Sequence, residues 1–160
     1  MIIVTALLTY ICYMQRLTAA KDVPPLPCYV EDQQLQHVPI ISIIDDDDSM
    51  RCALKSLVTS LGLKAYAFAS AEQFLQSPHL ENTTCLITDL QMPGLDGIEL
   101  QQSLLAQGRH IPIIFVTAFP EERMRARAME AGALGFLGKP FDSSTLVELI
   151  DKAVESGRKT

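Results

Sequence analysis

From Ile40 onward the chain alternates between two hydrophobic patterns. Short unbroken apolar runs give way to stretches in which apolar residues recur every third or fourth position. Ile40-Ile41-Ser42-Ile43-Ile44 is largely β-branched and reads as a strand. Met50, Ala53, Leu54, Leu57, Val58 and Leu61 then follow at helical spacing, with Asp47, Asp48 or Ser49 as the cap and Gly62 as the stop. Lys64 to Ala69 reads as a weaker second strand, and Ser70 caps a short helix containing Phe74 and Leu75, with Pro78 beyond its end. A third apolar run, Cys85-Leu86-Ile87-Thr88, ends on Asp89. Asp96 to Gln107 is the next helix, capped by Asp96 and ended by Gly108. Ile111 to Val116 is the fourth strand, ending at Thr117; Pro112 sits at its beginning, where a missing donor does least harm. Glu121 to Ala131 is helical up to Gly132, and Leu134 to Leu137 is a fifth strand that runs into Gly138-Lys139-Pro140. Asp142 or Ser143 caps a last helix with Leu146, Leu149, Ile150 and Val154 on one face.

Five strand–helix units in succession place the chain in the α/β class. Unbroken apolar strands that alternate with amphipathic helices require a parallel sheet covered on both faces, with right-handed crossovers. The regular region is expected to span 40–156, with a short tail at 157–160. Before it, Met1 to Met14 is apolar and is stopped by Arg16. That run falls short of the roughly 20 apolar residues of a membrane span, and it lacks the basic start and cleavage site of a signal peptide. It reads either as a membrane tether with Arg16 at the interface, or as a start-site artefact with translation beginning at Met14. Lys21 to Pro39 carries Pro24, Pro25, Pro27 and Pro39 without any period and reads as a linker.

Composition removes several functions. The 160 residues carry a formal charge of −6, which opposes non-specific nucleic-acid binding. Arg123, Arg125 and Arg127 spread around their helix and read as a solvated face. Cys12, Cys28, Cys52 and Cys85 show no zinc or disulfide spacing. Cys52 and Cys85 read as small buried residues of a reducing, cytoplasmic protein.

The chemistry centres on Asp89. It stands at the carboxyl end of a strand, the edge of an open α/β sheet where ligands and reactions are found. An unpaired carboxylate buried there is costly, so its presence implies a task, and acceptance of a phosphoryl group suits it. Companion residues stand at other strand ends: Asp45 and Asp46 after the first, Thr117-Ala118 after the fourth, and Lys139-Pro140-Phe141 after the fifth.

In combination with Asp89-x-x-Met92-Pro93-x-x-Asp96-Gly97, these motifs resemble the receiver domain of two-component response regulators. The similarity is to the nitrogen-fixation regulator (FixJ) group in particular, over Ile40 to Ser156. The resemblance implies a flavodoxin-like doubly wound sheet of order 2-1-3-4-5. It also implies Mg2+ (or Mn2+) held by Asp45, Asp46, Asp89 and the backbone carbonyl of Gln91, and a cis peptide before Pro140. Such transfer consists mainly of positioning and charge neutralisation. Lys139 and the Thr117 hydroxyl would meet phosphoryl oxygens, and the Leu90 and Ala118 N–H groups would complete the cradle. Thr117 would then move inward and Phe136, three residues before Lys139, would follow it. The surface of the fourth helix, fifth strand and fifth helix would thereby switch; the alternative for Phe136 is a fixed core position. Gln91 and Phe119 are expected to tune the lifetime of the phosphorylated form.

The partners implied are a histidine kinase or histidine phosphotransfer protein and a downstream protein target, with a phosphorylation-linked homodimer as a further expectation. Only Gly157 to Thr160 follow the last helix, so no DNA-binding output is expected, and the protein is not expected to be an enzyme in the usual sense. A flavodoxin would need an anion-cradling loop where four aspartates stand here. A haloacid-dehalogenase-type phosphatase normally has a second Asp at the position of Gln91. The alternative left open is an interaction module that keeps the fold without being phosphorylated.

Overall fold

The computed structural model describes residues 38–157; the apolar run and most of the proline-rich linker lie outside them. Five strands, β1 (Ile40–Ile44), β2 (Lys64–Phe68), β3 (Thr83–Thr88), β4 (Ile113–Thr117) and β5 (Gly135–Gly138), alternate with five α-helices. These are α1 (Asp48–Ser60), α2 (Ala71–Leu75), α3 (Gly97–Ala106), α4 (Glu122–Glu130) and α5 (Ser143–Gly157). The strands form one sheet in the order β2-β1-β3-β4-β5, and every pairing is parallel.

Alternation along the strands sorts the core into two layers. Ile41, Ile43, Cys85, Ile87, Ile114 and Val116 pack with Leu54 and Val58 of α1 and with Leu146 and Ile150 of α5. Leu86, Ile113 and Phe115 point the other way, into a layer with Phe74, Ile98, Leu100 and Leu104. Burial on both faces is why the strands read as continuous apolar runs instead of alternating ones. Gly62, Gly108 and Gly132 follow α1, α3 and α4 with positive φ, as helix stops do.

Several expectations need correction. Of the cap candidates α1 takes Asp47, whose side chain accepts from the N–H groups of Ser49 and Met50, because Asp48 is already helical. Cys52 is exposed. The buried stripe of α1 is Leu54 and Val58, and a residue two positions before Leu54 faces away from it. Cys85 is buried, and burial pushes its thiol up to about 12, so it stays an inert core group. β4 starts at Ile113 instead of Ile111; Pro112 precedes it, with its carbonyl accepting from Leu86 N–H at 2.9 Å. A short 3-10 turn, Leu80–Asn82, was not foreseen. Ser70 caps α2 as expected, and Asp96 caps α3 in a reciprocal capping box with Glu99.

Gly97 places α3 against the end of β3. A Cβ there would lie 2.5 Å from the Asp89 carbonyl oxygen, 3.0 Å from Phe115 Cε1 and 3.1 Å from Leu90 Cα. Two of these neighbours are backbone and cannot rotate away. Gly97→Ala is therefore expected to cost about 2 kcal/mol of stability in urea denaturation, as overpacking does. Unchanged stability would show that the β3–α3 junction yields freely.

Candidate phosphoacceptor site

The carboxyl ends of β1, β3, β4 and β5 meet around a cavity of about 320 Å3. Asp45, Asp46, Asp89, Gln91, Thr117, Ala118, Phe119 and Lys139 all line it, although they come from four separate loops. Parallel strands explain this convergence, since every strand delivers its last residue to the same edge of the sheet. A second cavity of about 340 Å3, bordered by Leu104, Ile111 and Ile113, lies at the opposite edge and has no carboxylate in its lining.

Lys139 is the hub. Its Nζ donates to Asp45 Oδ2 at 2.8 Å and to Asp89 Oδ2 at 2.8 Å. Asp45 is 1% exposed and Asp89 7% exposed, so both carboxylates depend on such partners. Their other oxygens accept from the backbone: Asp45 Oδ1 from Asp47 N–H at 2.9 Å, and Asp89 Oδ1 from Gln91 N–H at 3.1 Å. Burial works against the charge on Lys139, but the hydrogen bonds and charges of Asp45 and Asp89 outweigh it and hold the ammonium above its ordinary pKa. The backbone aims the lysine, because Lys139 N–H donates to the Thr117 carbonyl at 2.7 Å. The Lys139–Pro140 peptide is cis, as the resemblance implies.

Thr117 is fully buried at the end of β4, and its Oγ1 accepts from Phe119 N–H at 3.3 Å. Ala118 lines the cavity beside it. Phe119 is 64% exposed, an unusual position for a phenyl ring, and stands at the rim.

Two of the expected residues are set back from the cavity. Leu90 is buried in the apolar layer under β3. Phe136 is half-buried on β5, opposite Phe115 in register, with ring centroids 6.1 Å apart. Reasoning from sequence overlooked Met50, which lines the cavity from the first turn of α1. It was read only as a position in a helical pattern.

Asp45, Asp46 and Asp89 each offer a carboxylate oxygen, all within 4.8 Å of one another. Three formal negative charges face the single ammonium of Lys139, leaving an excess of two. All-oxygen donors with that charge suit a hard divalent cation, so the residues present fit Mg2+ or Mn2+.

Comparison with known proteins agrees with this geometry. Residues 41–151 match the response regulator receiver domain family. Nodulation protein W of Bradyrhizobium diazoefficiens is 42% identical over 120 residues, which are 75% of this chain and 53% of that protein. The solved structure of the response regulator StyR is 40% identical, with a TM-score of 0.71 over 76% of this chain and 61% of that one. That of FixJ-N is 34% identical, with a TM-score of 0.66 over 73% of this chain and 94% of that one. The chain spans about half the length of the curated relatives it matches. With the match running from β1 into α5, and with the sheet order and motif residues of the group in place, this chain belongs to the response regulator receiver domain family.

Proposed function

We propose that this domain accepts a phosphoryl group on Asp89 from the phosphohistidine of a histidine kinase or phosphotransfer protein. The observation that carries the reading is the paired 2.8 Å contact of Lys139 Nζ with Asp45 and Asp89. Two carboxylates and an ammonium thus border one cavity, an arrangement that supports Asp89 as the nucleophile beside a fixed positive charge. Asp89 attacks phosphorus; a P–O bond to Asp89 forms as the P–N bond to histidine breaks. Lys139 then faces a phosphoryl oxygen as a compact point charge, and the Thr117 hydroxyl and the Ala118 and Leu90 N–H groups supply further donors. Asp45, Asp46, Asp89 and the Gln91 carbonyl would hold the divalent cation, which supplies the positive charge needed to bring two anions together.

The cavity also suggests how the state is read out. A phosphoryl group recruits Thr117 from the end of β4, and Phe136 follows on the neighbouring strand. The α4–β5–α5 surface is thereby biased toward one of two arrangements. Phe136 is a phenyl ring, so this bias works through burial and not through a phenolic hydrogen bond. Docking to a protein target is the proposed output. Among the described residues no helix is long and apolar enough to cross a membrane.

Intact mass after incubation with acetyl phosphate, with and without Mg2+, tests the reading. A Mg2+-dependent gain of one phosphoryl group is expected. A folded, Mg2+-binding protein that gains none, even from candidate kinases, would favour an interaction module.

Phe119 bears on how long the group persists. Its exposed ring stands at the rim of the cavity that Asp89 also lines, where it can obstruct an attacking water. Phe119→Ala is expected to shorten the phosphorylated lifetime about threefold, less than 1 kcal/mol in barrier. A lifetime equal to wild type would remove Phe119 from this role.

A further inference from the structure

Glu72 lies outside the cavity, on the first turn of α2, yet it holds the loop that leaves the Asp89 strand. Its Oε1 accepts from Leu95 N–H at 2.9 Å, across 23 residues of chain. The loop's other amide contacts are made within its own neighbourhood. Gln91 N–H reaches Asp89 Oδ1 at 3.1 Å, Asp96 N–H reaches Glu99 at 3.0 Å, and Gly97 N–H reaches the Leu90 carbonyl at 2.9 Å. Among the described residues, Glu72–Leu95 is the hydrogen bond that ties the Gln91–Leu95 segment to an element other than β3 and α3, which flank it.

The fit between the two is close. Gly94 has φ +84, and a Cβ on it would lie 2.7 Å from Glu72 Oε1. The loop therefore lies directly against the carboxylate, which would have to swing aside for any side chain at that position. The Leu95 N–H, and after it the Ser70 side chain, hold the Glu72 carboxyl below its ordinary pKa. The side chain is thus an anion fully able to accept at neutral pH. The far end of α2 is fixed by Phe74, which is buried in the apolar layer that Leu95 also packs against.

We propose that Glu72 is a positioning residue for the cation and phosphoryl site, acting by clasping the Gln91–Leu95 segment. Release at Leu95 loosens Gln91, four residues earlier, whose N–H orients Asp89 and whose carbonyl belongs to the proposed cation shell. The inference rests on the reading of that shell given above. It also places α2 in energetic contact with the site, although none of its side chains lines the cavity.

The test uses the full chain as wild type, Glu72→Ala and Glu72→Gln. Mg2+ affinity is read by calorimetric titration, Leu95 amide exchange by NMR, and Tm alongside. In Glu72→Ala, faster Leu95 exchange is expected together with about tenfold weaker Mg2+ binding, the low end for an outer-shell partner, at nearly unchanged Tm. Glu72→Gln keeps an acceptor oxygen and should recover part of the affinity. Faster exchange with unchanged affinity would overturn the positioning role, and unchanged exchange would overturn the clasp itself. Wild type that binds no Mg2+ would instead sink the reading of the shell, and the inference with it.

Discussion

The Asp89→Asn variant is expected to gain no phosphoryl group from acetyl phosphate, with the rate falling by more than about 10³-fold. The reaction forms a P–O bond to Asp89 and breaks the P–O bond to acetate, which leaves as the anion. An amide oxygen is too weak a nucleophile to take that place. The substitution is nearly isosteric, and the Asn carbonyl can still accept from Gln91 N–H, now 3.1 Å from Asp89 Oδ1. It also removes one carboxylate from a cluster of three, two of which share Lys139, so mutual repulsion falls. The variant is therefore expected to be at least as stable as wild type. This separates a chemical loss from a folding loss, because the mass gain disappears while Tm holds or rises. A variant that gains the group as fast as wild type would displace Asp89 as the acceptor. Asp46, the exposed member of the acidic cluster, would be the next residue to replace.

The sheet and the edge that carries the candidate site were legible because their signals are local. A strand that ends on a charge, such as Ile87-Thr88-Asp89, announces itself within a few residues, and so does Ile43-Ile44-Asp45. The strand order required the resemblance, since hydrophobic periodicity does not say which strands are neighbours. Side-chain partnerships were not legible. Lys139 meets residues 94 and 50 positions away, and nothing in its own neighbourhood indicates that it would span two carboxylates instead of one. Glu72 carries no local sign of its grip on Leu95, because an acidic residue in the first turn of a helix already has an ordinary explanation in the helix dipole. Cys52 was misread for a related reason. Small apolar residues fit either face of a helix, and only the placement of Leu54 and Val58 decides which face is buried. At Asp47 four identical residues in a row left the cap ambiguous until backbone angles distinguished them.

The proposed function gives Lys139 two separable tasks, and Lys139→Met separates them. In the absence of a divalent cation the ammonium is the countercharge for Asp45 and Asp89, which are otherwise buried. Removing one partner of a buried ion pair leaves a carboxylate uncompensated, which costs more than the intact pair contributes. Methionine keeps the stem and its packing but not the charge. A stability loss of about 2–3 kcal/mol is therefore expected, discounted for the cavity's access to water, or a fall in Tm of about 6–12 °C. Saturating Mg2+ should restore much of that loss, because a ligand that binds the native state stabilises it by mass action. Phosphorylation should not recover with it. Even in saturating Mg2+ the rate is expected to stay about 10²-fold down, since a fixed charge aimed at a phosphoryl oxygen has been lost. Lys139→Arg sharpens the distinction. It restores the charge, and so part of the stability, but its wide planar fork does not reproduce a point charge seated between two carboxylates. Stability unchanged in Lys139→Met without Mg2+ would show that water compensates Asp45 and Asp89 unaided. A phosphorylation rate unchanged in Mg2+ would show that the cation alone carries the neutralisation, and Lys139 would then be a structural countercharge with no part in transfer.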